Sequence, residues 1–552
     1  MKQFKNDVIE VLKKHIEDVK EDTIEFPPDS SLGDLAFPCF TLAKQWRMSP
    51  AEIAGTLSQR IEVVYPFERI ESKGPYLNFF IKGTAIAELV LQEDLIEKET
   101  DIKRIMIEYS SPNTNKPLHL GHLRNIILGS TVSTIEKSLG NHVVQSCLVN
   151  DRGIHICKSM LMYMKYGSEP DKKPDYYVGD FYVMFNNEVE KHPELNDEAQ
   201  ELLRKWEAGE PEVVKVWEKM NRWANQGFQE TYDKLGIEFD KFYYESDIYK
   251  FGKEIINQGY EEGRLQKEDG AIIADMEKDN LGKKVLIRSD GTSIYMTQDV
   301  FLAKKKFDDF ALDSSVYVVG SEQNRHFEQL FRILEILGFD FAKKCYHLSY
   351  GMVFLPEGKM KSREGTVVEA DQLIDQMHEL ALEEIKKRHD LDEDELRTRA
   401  KTIGLGALKF FLLKTDPAKD VIYDPKQSVS FEGETGPYVQ YVYARISSIL
   451  RKADIDFDEA DYDKLDKEEF KLLRTLANFP QSVKEAKRHY RPSIICRYLL
   501  DLCQEFNEYY HKVPVLKTEE ETKKARLMLL EKIRSTIKEG LGLLRIDVLE
   551  EM

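Results

Sequence analysis

Cysteine is scarce in this chain: six in 552 residues, at positions 39, 147, 157, 345, 496 and 503. No two form a C-x-x-C pair, so a zinc ribbon is not expected, and their scatter makes no disulfide framework. They read as reduced, mostly buried thiols, which points to the cytoplasm. Long apolar runs are missing too. No segment reaches about 18 uncharged apolar residues, so no membrane span is expected. The opening "MKQFKNDVIEVLKKHIEDVK" is too charged for a signal peptide. Net positive charge is the third absence, with 79 Lys and Arg against 98 Asp and Glu, a net of −19. Such a surface repels nucleic acid on average, so an RNA partner must be held by local basic patches and by shape. Low-complexity linkers and internal repeats are also lacking, which removes solenoids and tethered arrays.

Packed cores are well supplied, with 42% hydrophobic and 11% aromatic residues, and the length calls for two to four domains. Residues 1–100 mix helical patterns with short strands such as "YLNFFI" and read as a small α/β domain. From 101 to 370 the texture changes. "KRIMIEYSS" reads as a buried strand. Leu128, Val132, Ile135 and Leu139 share one helical face, Gly140 stands where a C′ glycine ends a helix, and "HVVQSCLV" (142–149) is a second strand. Strand, turn, helix and strand make a βαβ unit, hence a Rossmann-like doubly wound parallel sheet with its ligand crevice at the strands' carboxyl ends. Residues 185–265 read as a helical insertion. "KVLIRSDGTSIYMTQD" reads as a hairpin turning at 289–292, and "SVYVVG" and "CYHLSYGMVF" as further strands. A helical connecting region over 371–430 and an all-α bundle over 431–552 complete the expected architecture.

The stretch "SPNTNKPLHLGHLRN" (110–124) sets a helix start directly after the first strand of that unit, with His119 and His122 three residues apart. Free backbone N–H groups and the positive helix end favour anions there. Two imidazoles add donors, Lys116 adds a mobile cation, and Gly121 leaves room for a base or ribose. The arrangement suits a nucleoside triphosphate gathering charge on its phosphates. A second cationic element, "GKMKSREGT" (358–366), follows a later strand and carries Lys359, Met360, Lys361, Ser362 and Arg363. Alone it is an ordinary solvated turn. Across one sheet from the histidines, it is the other half of a phosphate clamp. Lys484, Lys487, Arg488, Arg491 and Arg497, with Tyr490 and Tyr498, concentrate base-stacking and phosphate-binding side chains in one helical segment.

The two signatures together resemble the HIGH and KMSKS elements of class I aminoacyl-tRNA synthetases. The P-N-x-x-K-P-x-H-x-G-H-L-R form is similar to that of arginyl-tRNA synthetases. Supporting segments include "GDLAFPCFTLAKQWRMSPAEIA", "SIYMTQD", "VYVVGSEQNRHFEQLF" and "SVSFEGETGPYVQYVYARISSIL". The second signature departs from the usual K-M-S-K-S, and Lys116 is the cation the resemblance offers in compensation. The resemblance implies formation of an arginyl-adenylate from L-arginine and ATP with Mg²⁺, then transfer to tRNA(Arg), with no protein-held metal. It implies ATP contacts at His119, Gly121, His122, Lys359, Met360 and Ser362, with Lys116, Lys361 and Arg363 as further catalytic cations. It gives Asn113 and His119 the substrate's amino and carboxylate groups, and Glu108, Tyr295, Asp299 and Gln323 its side chain, since a guanidinium leaves water only for carboxylates and planar acceptors. Tyr438, Gln440, Tyr441 and Arg445, with Lys487 and Arg491, are the expected tRNA contacts, and a monomer is the expected state. Alternatives are another class I synthetase or a non-catalytic tRNA-binding relative.

Overall fold

A computed structural model describes the chain except residues 18, 28, 93–94, 355–367, 389–390, 454 and 458. Near the N-terminus, strands β1 (Leu35–Pro38), β2 (Phe67–Lys73) and β3 (Tyr76–Ile81) form an antiparallel sheet in the order β1-β3-β2. Helices Lys2–Lys13 and Pro50–Arg60 accompany it. The second of these starts as its sequence dictates. Ser49 accepts from the Glu52 N–H, Glu52 accepts from the Ser49 N–H, and Pro50 supplies a pre-set φ.

The central sheet contains β4 (Arg104–Glu108), β5 (His142–Val149), β6 (Lys241–Tyr244), β10 (Ser314–Gly320) and β11 (Cys345–Tyr350), all parallel, in the order β11-β10-β4-β5-β6. Helix Leu120–Ser138 joins β4 to β5 as the spacing predicts. Gly140 follows it with φ +97°, a conformation that costs glycine little. Leu120, Leu123, Ile126 and Ile127 are buried, so this helix is wedged into the core and its N-terminus is aimed at the strand ends. One continuous apolar core runs from Phe4 through Leu123 to Phe506, binding the N-terminal unit, the sheet and the helical C-terminal third together. That third comprises seven long helices from Ala370–Lys386 to Glu520–Leu543 among the described residues.

Three expectations need correction. The helical insertion starts earlier and ends sooner than 185–265, consisting of Ile154–Tyr166, Pro174–Glu188, Leu195–Glu207 and Pro211–Leu235. The aromatic "KFYY" that follows is an edge strand, β6, because it pairs with Cys147–Val149 of β5. Residues 266–287 form a separate antiparallel sheet, β7 (Gln266–Glu268), β8 (Ala271–Met276) and β9 (Gly282–Ile287). The turn at 289–292 closes with Arg288 N–H donating to Thr292, but a single bridge follows and the chain then enters helix Tyr295–Phe310. Finally, "CYHLSYGMVF" divides. Only β11 joins the parallel sheet, while β12 (Val353–Phe354) pairs with β13 (Val421–Ile422).

Candidate active site

Two cavities open at the carboxyl ends of β4, β5, β10 and β11. One, of about 450 Å³, is lined by Glu108, Asn113, Glu245, Asp299 and Lys306. The other, of about 320 Å³, is lined by His119, Gly121, His122, Asn125 and Tyr350. Ser111, Val319 and Gln323 belong to both, so they form one crevice with two ends.

At the histidine end, His119 is the N-cap of helix Leu120–Ser138. Its Nδ1 accepts from the Gly121 N–H at 3.1 Å, and His122 Nδ1 accepts from the His119 N–H at 3.1 Å. The two rings lie 3.9 Å apart, centroid to centroid. Burial, reinforced by Lys116, pushes His119 down to about 4; burial, then His119 and Lys116, depress His122 well below the usual imidazole value. Both rings are therefore neutral near pH 7, and with each Nδ1 accepting, each Nε2 carries the proton. The pair offers two neutral N–H donors at a helix N-terminus. The small residue at Gly121, which lines the cavity, has a second reason besides the one expected. A Cβ there would stand 3.0 Å from His119 Cε1, so glycine makes room for the imidazole.

Lys359, Met360, Lys361, Ser362 and Arg363 lie outside the described residues. The chain on either side of them stands at the histidines. Met352 and Val353 line the same cavity, Leu120 N–H donates to Val368, and Ala370 N–H donates to Leu118. The buried guanidinium of Arg124, within the first signature, donates to the carbonyls of Gly351, Met352, Pro417 and Lys419. Asn125 joins the strand ends, accepting from Ser110 N–H and donating to the Val318 carbonyl.

The other end is acidic, and each carboxylate has a basic neighbour. Asp299 Oδ2 lies 2.8 Å from His326 Nε2. Glu108 is a correction: rather than a free acceptor, it is buried 2.6 Å from the Lys306 ammonium. Glu245, opening a short helix after β6, lies 3.8 Å from Arg152. Burial holds Glu245 up at about 7, Arg152 opposing and Asp151 and Asp299 adding to the rise. Asp151 positions it by accepting from the N–H and hydroxyl of Ser246 at 2.8 and 2.6 Å. Tyr295 stands at the mouth, 69% exposed, and Asn113 and Gln323 are exposed on the rim. Sequence reasoning missed Glu245, Lys306, Arg152 and His326. The available signals were a glutamate at the carboxyl end of an aromatic strand and a lysine seven residues after Asp299 on the same helix face.

The expected RNA contacts separate. Tyr438, Tyr441 and Arg445 gather on helix Gly436–Arg451. Arg445 donates to the Tyr441 hydroxyl and to Asn507, and Asn507 donates to the Tyr438 hydroxyl. Gln440 is a correction, being fully buried and donating to the Asp547 carbonyl. Lys487 is another, bonded to Glu99 at 2.6 Å and facing buried Glu136 at the domain seam. Arg491 pairs with Asp416 and Arg497 with Glu434 and Asp501, while Tyr498 is buried. Three of the five basic residues of that segment, Lys487, Arg491 and Arg497, are thus engaged in ion pairs.

Among known protein families, the model for the class I (R) tRNA synthetase catalytic domain matches residues 85–424. The arginyl tRNA synthetase N terminal domain matches residues 2–81, and the DALR anticodon binding domain 439–552. The chain is similar to an arginine–tRNA ligase of Treponema denticola, 44% identical over 557 residues that cover 96% of this chain and 94% of that one. A Porphyromonas gingivalis arginine–tRNA ligase is 44% identical over 567 residues, 94% of each chain. The solved arginyl-tRNA synthetase of Thermus thermophilus aligns with a TM-score of 0.86 at 27% identity, over 100% of this chain and 99% of that one.

Proposed function

The chain belongs to the arginyl-tRNA synthetases of class I, and from that membership we propose how its crevice divides the labour of the reaction. The enzyme ligates arginine to tRNA(Arg), with ATP as a substrate and an arginyl-adenylate as intermediate. Arginine's carboxylate attacks the α-phosphorus of ATP and pyrophosphate leaves. The terminal 2′-hydroxyl of tRNA(Arg) then takes the arginyl group and AMP leaves. No side-chain nucleophile is required, because positioning and charge stabilisation supply the rate.

In this reading ATP lies at the histidine end, where the Nε2–H groups of His119 and His122 donate to phosphate oxygens as charge develops on them. Neutral donors pre-aligned by backbone contacts need no rearrangement during the step. Lys116 adds positive charge beside them, and Lys359, Lys361 and Arg363 are assigned to the leaving pyrophosphate. Arginine's side chain enters the acidic end toward Asp299 and Glu245, with Tyr295 and Gln323 at the mouth. Asn113 receives its amino group and His119 its carboxylate, the single Nε2–H of His119 being shared between that carboxylate and the α-phosphate it attacks. Mg²⁺ enters with the nucleotide. Its ligands would be the phosphate oxygens and water, the usual habit of Mg²⁺. Tyr438, Tyr441 and Arg445 are assigned to the anticodon loop, and the enzyme to the cytoplasm as a monomer; a one-chain mass by light scattering tests the last. No helix among the described residues is long and apolar enough to cross a membrane.

A single observation carries this reading: one crevice has neutral imidazole donors at one end and carboxylates at the other, joined through Ser111, Val319 and Gln323. Replacing His122 by alanine is expected to slow arginine-dependent ATP–pyrophosphate exchange, assayed with tRNA(Arg) present, by about 100-fold or more, the usual effect of losing one transition-state donor. Exchange within threefold of wild type removes His122 from the nucleotide site.

A further inference from the structure

The acidic end of the crevice contains a cation that the reaction described above does not use. Lys306 has no exposed surface and is the most deeply buried lysine among the described residues. It lies on helix Tyr295–Phe310, seven residues after Asp299 and eleven after Tyr295. That spacing brings Tyr295, Asp299, Leu302 and Lys306 to one helix face, and all four line the cavity. Across from it, Glu108 of β4 and Tyr317 of β10 are partners in the parallel register. The ammonium is 2.6 Å from Glu108 Oε2 and 4.1 Å from the centre of the Tyr317 ring. Beyond this ion pair, neither Glu108 Oε2 nor Lys306 Nζ has a hydrogen-bond partner among the described residues.

Stability does not account for such a pair. Removing two charges from water costs about as much as their attraction returns, and apolar replacements of similar volume do as well or better. The pair's position gives a better reason. The cavity holds three carboxylates, Glu108, Glu245 and Asp299, and two fixed cations, Lys306 and Arg152. With all three carboxylates ionised, as a bound guanidinium requires, one unit of negative charge is left over, which matches that guanidinium. Asp299 and Glu245 line the same cavity, and a guanidinium, a planar fork of N–H donors, can pair with more than one carboxylate. An ammonium is a compact point charge that is satisfied by a single carboxylate. Glu108 is that carboxylate, and the protein's own ammonium already sits on it.

We propose that Lys306 is a specificity-determining positioning residue of the amino-acid pocket. It occupies, from within the fold, the site that a substrate ammonium would take, and leaves Asp299, beside His326, and Glu245, 3.8 Å from Arg152, as the carboxylates that meet a guanidinium. The pocket thereby favours arginine over lysine and other ω-amino acids, by exclusion as well as attraction. This inference rests on the assignment of the acidic cavity to arginine.

The experiment compares aminoacylation of tRNA(Arg) with arginine and with lysine, at saturating ATP and tRNA, in wild type, Lys306→Met, Lys306→Arg, Glu108→Gln, the double variant Lys306→Met/Glu108→Gln, and Asp299→Asn. Lys306→Met is expected to lower the arginine-to-lysine ratio of kcat/KM about tenfold or more, chiefly through a lower KM for lysine, because Glu108 is released. Lys306→Arg is expected to keep the ratio within about threefold, since the cation remains. The double variant is expected to restore it, because the carboxylate that would bind lysine is gone. Glu108→Gln leaves the ammonium unmatched in the pocket and is expected to raise the KM for arginine about tenfold; this arm decides the matter if Lys306→Met does not fold. Equal losses for both amino acids in Lys306→Met, or an unchanged KM in Glu108→Gln, overturns the proposal. Asp299→Asn tests the underlying assignment separately. If its KM for arginine is unchanged, the cavity is not the arginine pocket, whatever Lys306 does.

Discussion

At the scale of single residues, environment decides which form of a side chain is available for chemistry. His119 and His122 are the clear case. Their types and spacing are legible in the chain, but their neutrality comes from burial beside Lys116, and their tautomer from backbone N–H groups that only the folded turn supplies. Glu245 is the opposite case. Burial first, then the charges of Asp151 and Asp299, hold it up at about 7 against the pull of Arg152. A guanidinium requires the ionised carboxylate, so arginine binding must expel this proton. The KM for arginine is expected to rise toward about tenfold per unit as pH falls below 7, one proton being taken up. In Glu245→Gln the profile over the same range should be flat though displaced, and a wild-type profile that is already flat rejects the assignment. For folding the sign is reversed. A carboxyl whose folded pKa lies above its ordinary value of 4.5 contributes stability below that value, and the contribution is lost as pH rises through about 7.

At the scale of elements, strong periodicity was decisive and short pieces were not. Ile105, Ile107 and the run from 142 to 149 are apolar enough to specify buried parallel strands, and both appear where expected. The four residues of β6 and the three of β7 are too short for periodicity to declare them, and their pairing partners lie outside the segment itself. Helix Leu120–Ser138 shows how one element serves two purposes. Its start presents the histidines, and its next turn carries Arg124, which fastens Gly351 and Met352 to Pro417 and Lys419. Burial draws the Arg124 guanidinium down to about 10, so it remains charged at neutral pH. Arg124→Leu removes a donor from all four carbonyls; those of Met352 and Pro417 still accept from the Val421 and Gly351 N–H groups, and that of buried Gly351 is orphaned. A loss of about 2 kcal/mol or more is expected in urea denaturation, since an orphaned buried acceptor costs roughly 1–3 kcal/mol. A loss below about 1 kcal/mol would mean that water replaces the guanidinium.

At the scale of the whole molecule, ion pairs link units that are distant in sequence. Arg474 Nε meets Asp34 at 2.6 Å and its NH2 donates to the Ile81 carbonyl, tying the helical bundle to the N-terminal sheet. Asp34 also accepts from the Ile81 N–H, so it is not abandoned when the arginine is removed. Arg474→Ala is therefore expected to loosen the N-terminal unit without unfolding it. Protease cleavage between residues 82 and 104 should accelerate about fivefold while the KM for arginine stays at the wild-type value, because a partly exposed pair of this kind contributes about 1 kcal/mol to closing the seam. A rise in that KM would show that the seam reaches the pocket.

The order of residues alone determined the strand–turn–helix unit, the helical C-terminal third and the histidine pair at a helix start, because these depend on periodicity and on neighbours a few positions away. Tertiary structure alone decided which charges are free. Glu108 and Lys306 are separated by almost two hundred positions, Lys487 faces Glu99 and Glu136 across domains, and Gln440 is sealed beneath the C-terminal residues. A charge's availability depends on what stands within a few ångströms of it, and contacts between distant segments leave no local pattern to read.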